Sequence, residues 1–352
     1  MMKLRSRTAA ALWAITALCC ATWLTSASAA VSIHGAGATF PAQLYAAWAS
    51  AYAAESGIQV SYEAVGSGAG LDRIRKRQVD FGASDAPLTP QELDASGLLQ
   101  FPVVLGGVVP VIGMTGIRPG QLKLTGALLA EIYLGKIRRW NEAAIAELNP
   151  DIALPNANIT VVHRSDPSGS SLLWADYLSR SSASWRAEAG ASLTPRWPRG
   201  VGGTGSEGVA AFVERTQFSI GYVEYSYARK HHLSDVALRN HDGRFVQAGR
   251  DTFRAAAESA RWGPDESSRQ LPTDAPGPQS WPITGASYIL VARRPASGER
   301  TRAVLRFFDW ALHHSESLAR GTDFVSIPQD VLDQLPAVWR TIQDATGKPV
   351  WP

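Results

Sequence analysis

Three short turns in this chain share one design. Ala38-Thr39-Phe40, Gly66-Ser67-Gly68 and Ser168-Gly169-Ser170 are rich in small and hydroxyl residues, and each leads from a strand-like stretch into one with helical spacing. Such a turn aims several backbone N–H groups and the positive end of a helix dipole at one spot, which is how a backbone holds an anion. Taken singly, each has a commoner role as a helix cap. Arg164, four residues before Ser168, adds the formal charge that dipoles lack, and its guanidinium can fork onto two oxygens of an oxyanion. Asp166 is an obvious pairing partner for that arginine, and a carboxylate that clamps a guanidinium also aims it. The chemistry these residues could do is therefore oxyanion capture.

Asp85 would narrow the anion further. A carboxylate only accepts hydrogen bonds, so an anion beside it must bring a proton of its own. Phosphate near neutral pH carries one and sulfate carries none. Unrelieved repulsion between Asp85 and a second anion at about 4 Å, with an effective dielectric of 20, is worth roughly 4 kcal/mol, or about three decades of affinity. The competing role for Asp85 is to cap the turn before Ala86-Pro87.

Those residues need strands and helices to hold them. Leu44, Tyr45, Trp48 and Tyr52 have helical spacing, with Pro41 suited to the first helical position. Ile58, Val60, Tyr62 and Ala64 alternate as a strand does, and Leu71 and Ile74 belong to the next helix. Val79 to Asp85 reads as a strand ending in a polar loop, and Thr89-Pro90-Gln91-Glu92 as a capping-box helix start. Val103 to Ile112 is a buried strand interrupted by Gly106, Gly107 and Pro110, Thr125 to Leu134 a helix stopped by Gly135, and Ile159 to His163 a strand. Helices are expected over Leu172 to Leu178, Val209 to Val213, Val304 to Leu312 and Val331 to Thr341, with a short strand at Ile289 to Val291. Trp262 to Trp281 is expected to be irregular surface chain. Strand, turn and helix in alternation indicate an α/β fold with mainly parallel pairing.

Composition excludes several classes. The 352 residues are 45% hydrophobic and carry 34 basic and 31 acidic side chains, which is neither a disordered nor a collagen-like balance. Lys3, Arg5 and Arg7, the apolar run Ala9 to Leu24 and the small residues Ser26 to Ala30 have the layout of an export signal, so residues 1–30 are expected to be removed. Without them 31 basic residues face 31 acidic ones, and a neutral surface lacks the footprint nucleic acid needs. Cys19 and Cys20, the two cysteines, go with the signal, and neither has the preceding leucine and small residue of a lipid-anchor site. No disulfide or thiolate metal site is expected, and no cofactor. His231-His232 and His313-His314 are adjacent pairs without metal-ligand spacing, expected to be solvated at the surface.

Ser67 and Ser206 lack the first glycine of a nucleophile elbow. Gly200 to Gly205 matches a dinucleotide pattern, with Glu224 beyond it, but Pro195-Arg196-Trp197-Pro198 stands where the preceding strand belongs, so a flexible turn is expected there. Catalytic residues are not expected.

Taken together, these residues resemble the periplasmic phosphate-binding proteins of ABC-type phosphate importers. The resemblance runs in order over the mature chain, through Gly35-Ala36-Gly37-Ala38-Thr39-Phe40-Pro41, Asp80 to Pro87, Ile132-Tyr133-Leu134-Gly135-Lys136-Ile137, Gly221-Tyr222-Val223-Glu224-Tyr225, Trp281-Pro282-Ile283-Thr284 and Phe307-Phe308-Asp309-Trp310-Ala311. It implies a type II-like periplasmic-binding-protein fold, two α/β lobes with a central ligand cleft and crossing hinge strands. Lobe I would take residues 31–105 and 285–352, and lobe II residues 106–284. By the resemblance, phosphate is held by Thr39, Phe40 through its N–H, Ser67, Asp85, Arg164, Ser168, Gly169 and Ser170, with Asp166 in support. It further implies a periplasmic monomer that hands inorganic phosphate to an inner-membrane permease with its ATPase. The alternatives are a receptor for another oxyanion, arsenate or sulfate, and a phosphatase using the same cradle. Departures from the family pattern are Ser170 for Thr, Gly68 for a common Ser, Pro167 for Gly, and Thr204 where many relatives carry Lys.

Overall fold

Leu44, Tyr45, Trp48 and Tyr52 fall on one side of a helix, and in the computed structural model they form the buried face of α1 (Ala42–Ser56). The helix starts one residue later than expected, with Pro41 as its N-cap residue. The structure describes residues 32–260, 271–318 and 322–352; the expected export signal and the first part of the Trp262–Trp281 stretch lie outside the described residues.

β1 (Ser32–Gly37) lies between two parallel neighbours, β2 (Gln59–Ala64) and β3 (Phe81–Ser84), reached through α1 and α2 (Ser67–Arg75). α3 (Pro90–Ser96) has the predicted capping box: Glu92 N–H donates to the Thr89 hydroxyl, and Thr89 N–H to the Glu92 carboxylate. β4 (Leu98–Gly113) then runs 16 residues without a break. Gly106 and Gly107 do not interrupt it; they lie under the rings of Phe40 and Phe253.

A second set of elements follows: α4 (Gly126–Leu134), β5 (Thr160–Arg164), α5 (Gly169–Ser181), β6 (Val201–Gly203), α6 (Gly205–Arg215), β7 (Ser219–Glu224) and α7 (Tyr225–Lys230). β8 (Thr284–Ala292) and α8 (Gly298–Leu318) return to the first set. The strand order is β2-β1-β3-β8-β4-β7-β5-β6.

The expectation of mainly parallel pairing holds only for the outer strands. β1–β2, β1–β3, β5–β7 and β5–β6 are parallel, whereas β3–β8, β8–β4 and β4–β7 are antiparallel. The reason is β4, whose first ten residues pair with β8 and whose last six pair with β7. A strand that serves two sets in turn is not the product of a right-handed strand–helix–strand crossover.

Two other expectations are corrected. The short strand at Ile289 to Val291 is the end of nine-residue β8, whose first half (Thr284-Gly285-Ala286-Ser287) is too small and polar to read as strand. It is buried throughout, so alternation is lost. Val331 to Thr341 is not one helix; Gln329–Leu332 and Leu335–Trp339 are separate short ones, with Pro336 in the first turn of the second, where proline is tolerated.

Each set of elements has its own aromatic core. In one, Phe307 and Phe308 of α8 meet Tyr45, Tyr52, Phe81 and Phe101. In the other, Tyr133, Trp174, Trp185, Trp197 and Tyr222 pack together. Among the described residues no helix is long and apolar enough to cross a membrane.

Candidate functional site

The three turns converge. Thr39, Ser67, Asp85, Arg164, Ser168 and Ser170 are each at most 5% exposed, and Phe40 is fully buried. Polar groups gathered this far from water must find partners among themselves or in a ligand. Thr39 ties the first turn to Arg164, whose Nη1 donates to Thr39 Oγ1 at 3.2 Å. Ser67, the first residue of α2, ties the second turn to the third: its hydroxyl accepts from Gly169 N–H at 3.1 Å and from Asp85 N–H at 3.3 Å. Ser168 is the N-cap of α5, accepting from Ser171 N–H at 3.2 Å. Phe40 anchors the first turn by its ring, set edge-on to Phe324.

Arg164 ends β5 and is clamped. Asp166 receives Nε at 2.7 Å on Oδ1, and Nη2 on Oδ2. Gly205 N–H, at the start of α6, donates to Asp166 Oδ1 at 2.9 Å. Burial works against the Asp166 charge, but the Arg164 hydrogen bonds and charge together with the Gly205 N–H hold its carboxyl below the usual range. Arg164 thus pairs with Asp166 through Nε and Nη2 and reaches Thr39 through Nη1.

Asp85 does not cap its own turn. That task falls to Ser84, whose hydroxyl accepts from Ala86 N–H at 3.1 Å and donates to Ala86 O at 2.8 Å. The Asp85 carboxyl is left inside the cradle, with Oδ1 buried and without a hydrogen bond. Burial pushes its pKa up to about 7, against the downward pull of the Ser287 hydroxyl, Arg164 and Ser67. Ser170 Oγ is buried and unpartnered as well. One unsatisfied acceptor and one unsatisfied hydroxyl thus lie buried among the turns that carry the guanidinium and three helix N-termini.

Glycine is required at Gly169 by close approach: a Cβ there would lie 2.5 Å from Asp85 Cβ and 2.8 Å from Ser67 Oγ. Gly68 and Pro167 explain each other. A Cβ on Gly68 would lie 2.5 Å from Pro167 Cβ, and Gly68 N–H donates to Pro167 O at 3.1 Å. The two residues thus fit each other across the gap between two turns.

Sequence reasoning missed several residues. Gly200 to Gly205 is no flexible turn: it contains β6, paired to β5, and opens α6. Ser206 in the first turn of α6 donates its N–H to Thr39 Oγ1 at 3.4 Å, and the two hydroxyls lie 2.9 Å apart. The signal was available, because Gly203-Thr204-Gly205-Ser206 repeats the design of the other three turns. Tyr222 was missed too; its hydroxyl accepts from Arg164 N–H at 3.2 Å and meets Ser171 Oγ at 2.7 Å. His231 was expected to be solvated but lies between Glu207 (3.0 Å) and Glu214 (2.8 Å). Among the described residues no group of His, Cys, Asp and Glu has the arrangement of a metal site.

A mixed sheet built in two sets around a shared strand, with a closed polar cradle between helix N-termini, defines a periplasmic-type solute receptor. Residues 24–315 match the PBP superfamily domain, and the chain belongs to that superfamily. More narrowly, it belongs to the family of the phosphate-binding protein PstS. It is 46% identical over 310 residues to the Haemophilus influenzae phosphate-binding protein PstS, covering 88% of this chain and 93% of that one. It is 44% identical over 323 residues to the Pasteurella multocida protein of the same name, with 92% and 94% covered. The phosphate-binding protein from Stenotrophomonas maltophilia shares the fold, with a TM-score of 0.67, 18% identity, and coverage of 87% of this chain and 93% of that one. Members of this family are transport receptors and not enzymes.

Proposed function

We propose that this chain is an exported receptor that captures inorganic phosphate in the cradle and delivers it to the membrane permease of an ABC importer, working as a periplasmic monomer. The observation that carries this reading is the pair of buried, unsatisfied groups Asp85 Oδ1 and Ser170 Oγ, with the Arg164 charge acting on Asp85. A protonated oxyanion completes all three: it donates to Asp85, accepts from Ser170 and meets the guanidinium fork. In this reading Thr39, the Phe40 N–H, Ser67, Ser168 and Gly169 supply the remaining donors. Micromolar binding needs about 8 kcal/mol, and charge-assisted hydrogen bonds of about 1.5 to 3 kcal/mol each supply that from a handful.

The cradle is closed by contacts between distant parts of the chain, Arg164 on Thr39 and Gly169 on Ser67. We place the two lobes at 31–105 with 285–352 and at 106–284, pivoting about β4 where its pairing passes from β8 to β7. Ligand-induced closure is the form such receptors present to a partner. Small-angle scattering is expected to show compaction on adding phosphate; an unchanged radius of gyration would refute closure.

The reading itself is tested by titrating the mature chain, stripped of bound anion, with phosphate and then sulfate at matched ionic strength. Trp197, stacked on His163 with ring centroids 4.8 Å apart, is a fluorescent reporter on the residue that precedes Arg164. One-to-one phosphate binding is expected, with sulfate at least about a thousandfold weaker. Comparable binding of both ions would make this a general oxyanion receptor, and binding of neither would end the proposal. Gly169→Ala forces its Cβ into Asp85 and Ser67. It is expected to weaken phosphate by more than about tenfold by holding the turns apart, while calorimetry shows an unfolding midpoint close to wild type for the ligand-free protein.

A further inference from the structure

Behind the cradle, two buried polar atoms that the proposed function does not use, Ser287 Oγ and Tyr45 Oη, lie with the Asp85 carboxylate. Asp85 Oδ1, Ser287 Oγ and Tyr45 Oη are all buried with no hydrogen bond made. Ser287 comes from β8, the strand that runs antiparallel to β3. In that register Tyr288 pairs with Ser84, the last residue of β3, so the next position sets Ser287 across from Asp85. On its other edge β8 pairs with β4, and there the register slips at this point: Ser287 opposes Val104, but Tyr288 opposes Pro102. The extra residue is Val103 of β4, and Pro102, with no N–H to give, belongs at such a break. Tyr45 reaches in from α1, its ring fixed by Trp48, Tyr62 and Phe308.

We infer that Tyr45 and Ser287 form a donor relay behind Asp85, Tyr45 O–H donating to Ser287 Oγ and Ser287 O–H to the carboxylate, so that Asp85 meets the ligand as an acceptor. Ser287 and Tyr45 are positioning residues in this scheme; neither touches the anion. The inference rests on the phosphate reading of the cradle.

A buried carboxylate sheds its charge unless something donates to it. Ser287 acts on Asp85 in that sense, lowering a pKa that burial raises, and Tyr45 interacts with the same hydroxyl. If Asp85 carried a proton it could donate to an anion, and sulfate would no longer be refused. The relay therefore bears on selectivity and on the pH at which selectivity fails. Other groups face Asp85: Arg164 and the Ser67 hydroxyl favour its charge, while Glu224, Tyr62 and Tyr227 also feel it. Glu224, buried and pushed up to about 8, titrates over a neighbouring range. The profiles below are accordingly repeated in a Glu224→Gln background.

The test compares wild type, Ser287→Ala, Ser287→Thr and Tyr45→Phe, titrated with phosphate and with sulfate from pH 5.5 to 9. Removing the Ser287 hydroxyl is expected to shrink the phosphate-to-sulfate ratio about tenfold at neutral pH, by moving its loss to higher pH by roughly one unit. Tyr45→Phe, which keeps the ring, is expected to move it the same way by less, and Ser287→Thr, which keeps the hydroxyl, to restore it. A wild-type ratio and pH profile in both Ser287→Ala and Tyr45→Phe would overturn the relay, as would an equal loss of both ions at every pH. If wild type itself did not bind phosphate, the failure would lie with the function proposed above.

Discussion

Replacing Asp85 with asparagine is expected to raise sulfate affinity by up to about three decades while costing phosphate only about one. The larger figure is the repulsion removed when a carboxylate about 4 Å from a second anion becomes neutral at an effective dielectric of 20, about 4 kcal/mol. The smaller one is the loss of a single charge-assisted hydrogen bond, about 1.5 kcal/mol or more, partly replaced by the amide oxygen. An amide can also donate, so sulfate finds a partner where the wild type offers none. The pH dependence separates this account from a steric one. Burial holds the Asp85 pKa at about 7, so in the wild type the carboxyl gains its own proton as pH falls through that value. Exclusion of sulfate should then weaken from about pH 8 to pH 6. In Asp85→Asn nothing titrates at this position, and the ratio should stay flat. Calorimetric titration with both ions at three pH values is sufficient. Equal weakening of phosphate and sulfate would show that Asp85 shapes the cradle without reading the proton.

The residues of the cradle were legible in the sequence because anion chemistry is local. A Gly- and Ser-rich turn between a strand and a helix needs only a few consecutive residues, and Thr39, Ser67 and Ser168 each announce one. What was not legible was which of the ordinary roles each residue would take. Asp85 was itself the candidate for capping the turn before Ala86, and only the fold assigns the cap to Ser84 and leaves the Asp85 carboxyl uncommitted. Partners brought in from far along the chain were also hidden. Ser206 lies 167 residues from Thr39, and Tyr222 is 58 from Arg164.

The same limit applied to the sheet. Alternation identified β2 at the edge, where one face meets solvent, but it fails for β8, which is buried along its whole length and half built of small residues. Period and composition carry no record of strand direction, so the antiparallel centre made by β4 and β8 could not be read from them. The small residues of β8 now have a physical role. Gly285 lies under Leu173 of α5, where a Cβ would be 2.3 Å from that side chain, and Ser287 stands behind Asp85. A strand poor in bulk is what lets α5 and the cradle approach the sheet.

Arg164→Met is expected to abolish phosphate and sulfate binding together, by at least about three decades each, and to destabilise the ligand-free protein. The first effect follows from removing a unit charge at contact distance from the anion, about 4 kcal/mol at an effective dielectric of 20. Because the guanidinium reads charge and shape but not the proton, both ions lose alike, which is the opposite signature to Asp85→Asn. The second effect comes from Asp166. Its carboxylate is only 16% exposed and would keep the Gly205 N–H while losing both guanidinium bonds. Breaking a buried pair by deleting one partner costs about 3 kcal/mol. The sign with pH is fixed: a carboxyl held below its unfolded pKa contributes stability that is present above the unfolded value and is lost as pH falls through the folded one. The melting temperatures of wild type and Arg164→Met should therefore differ most at neutral pH and converge in acid. Arg164→Lys, which returns the charge but not the fork, should recover part of the affinity and little of the Asp166 clamp. A melting difference that did not change with pH would place the instability in packing, not in the Arg164–Asp166 pair.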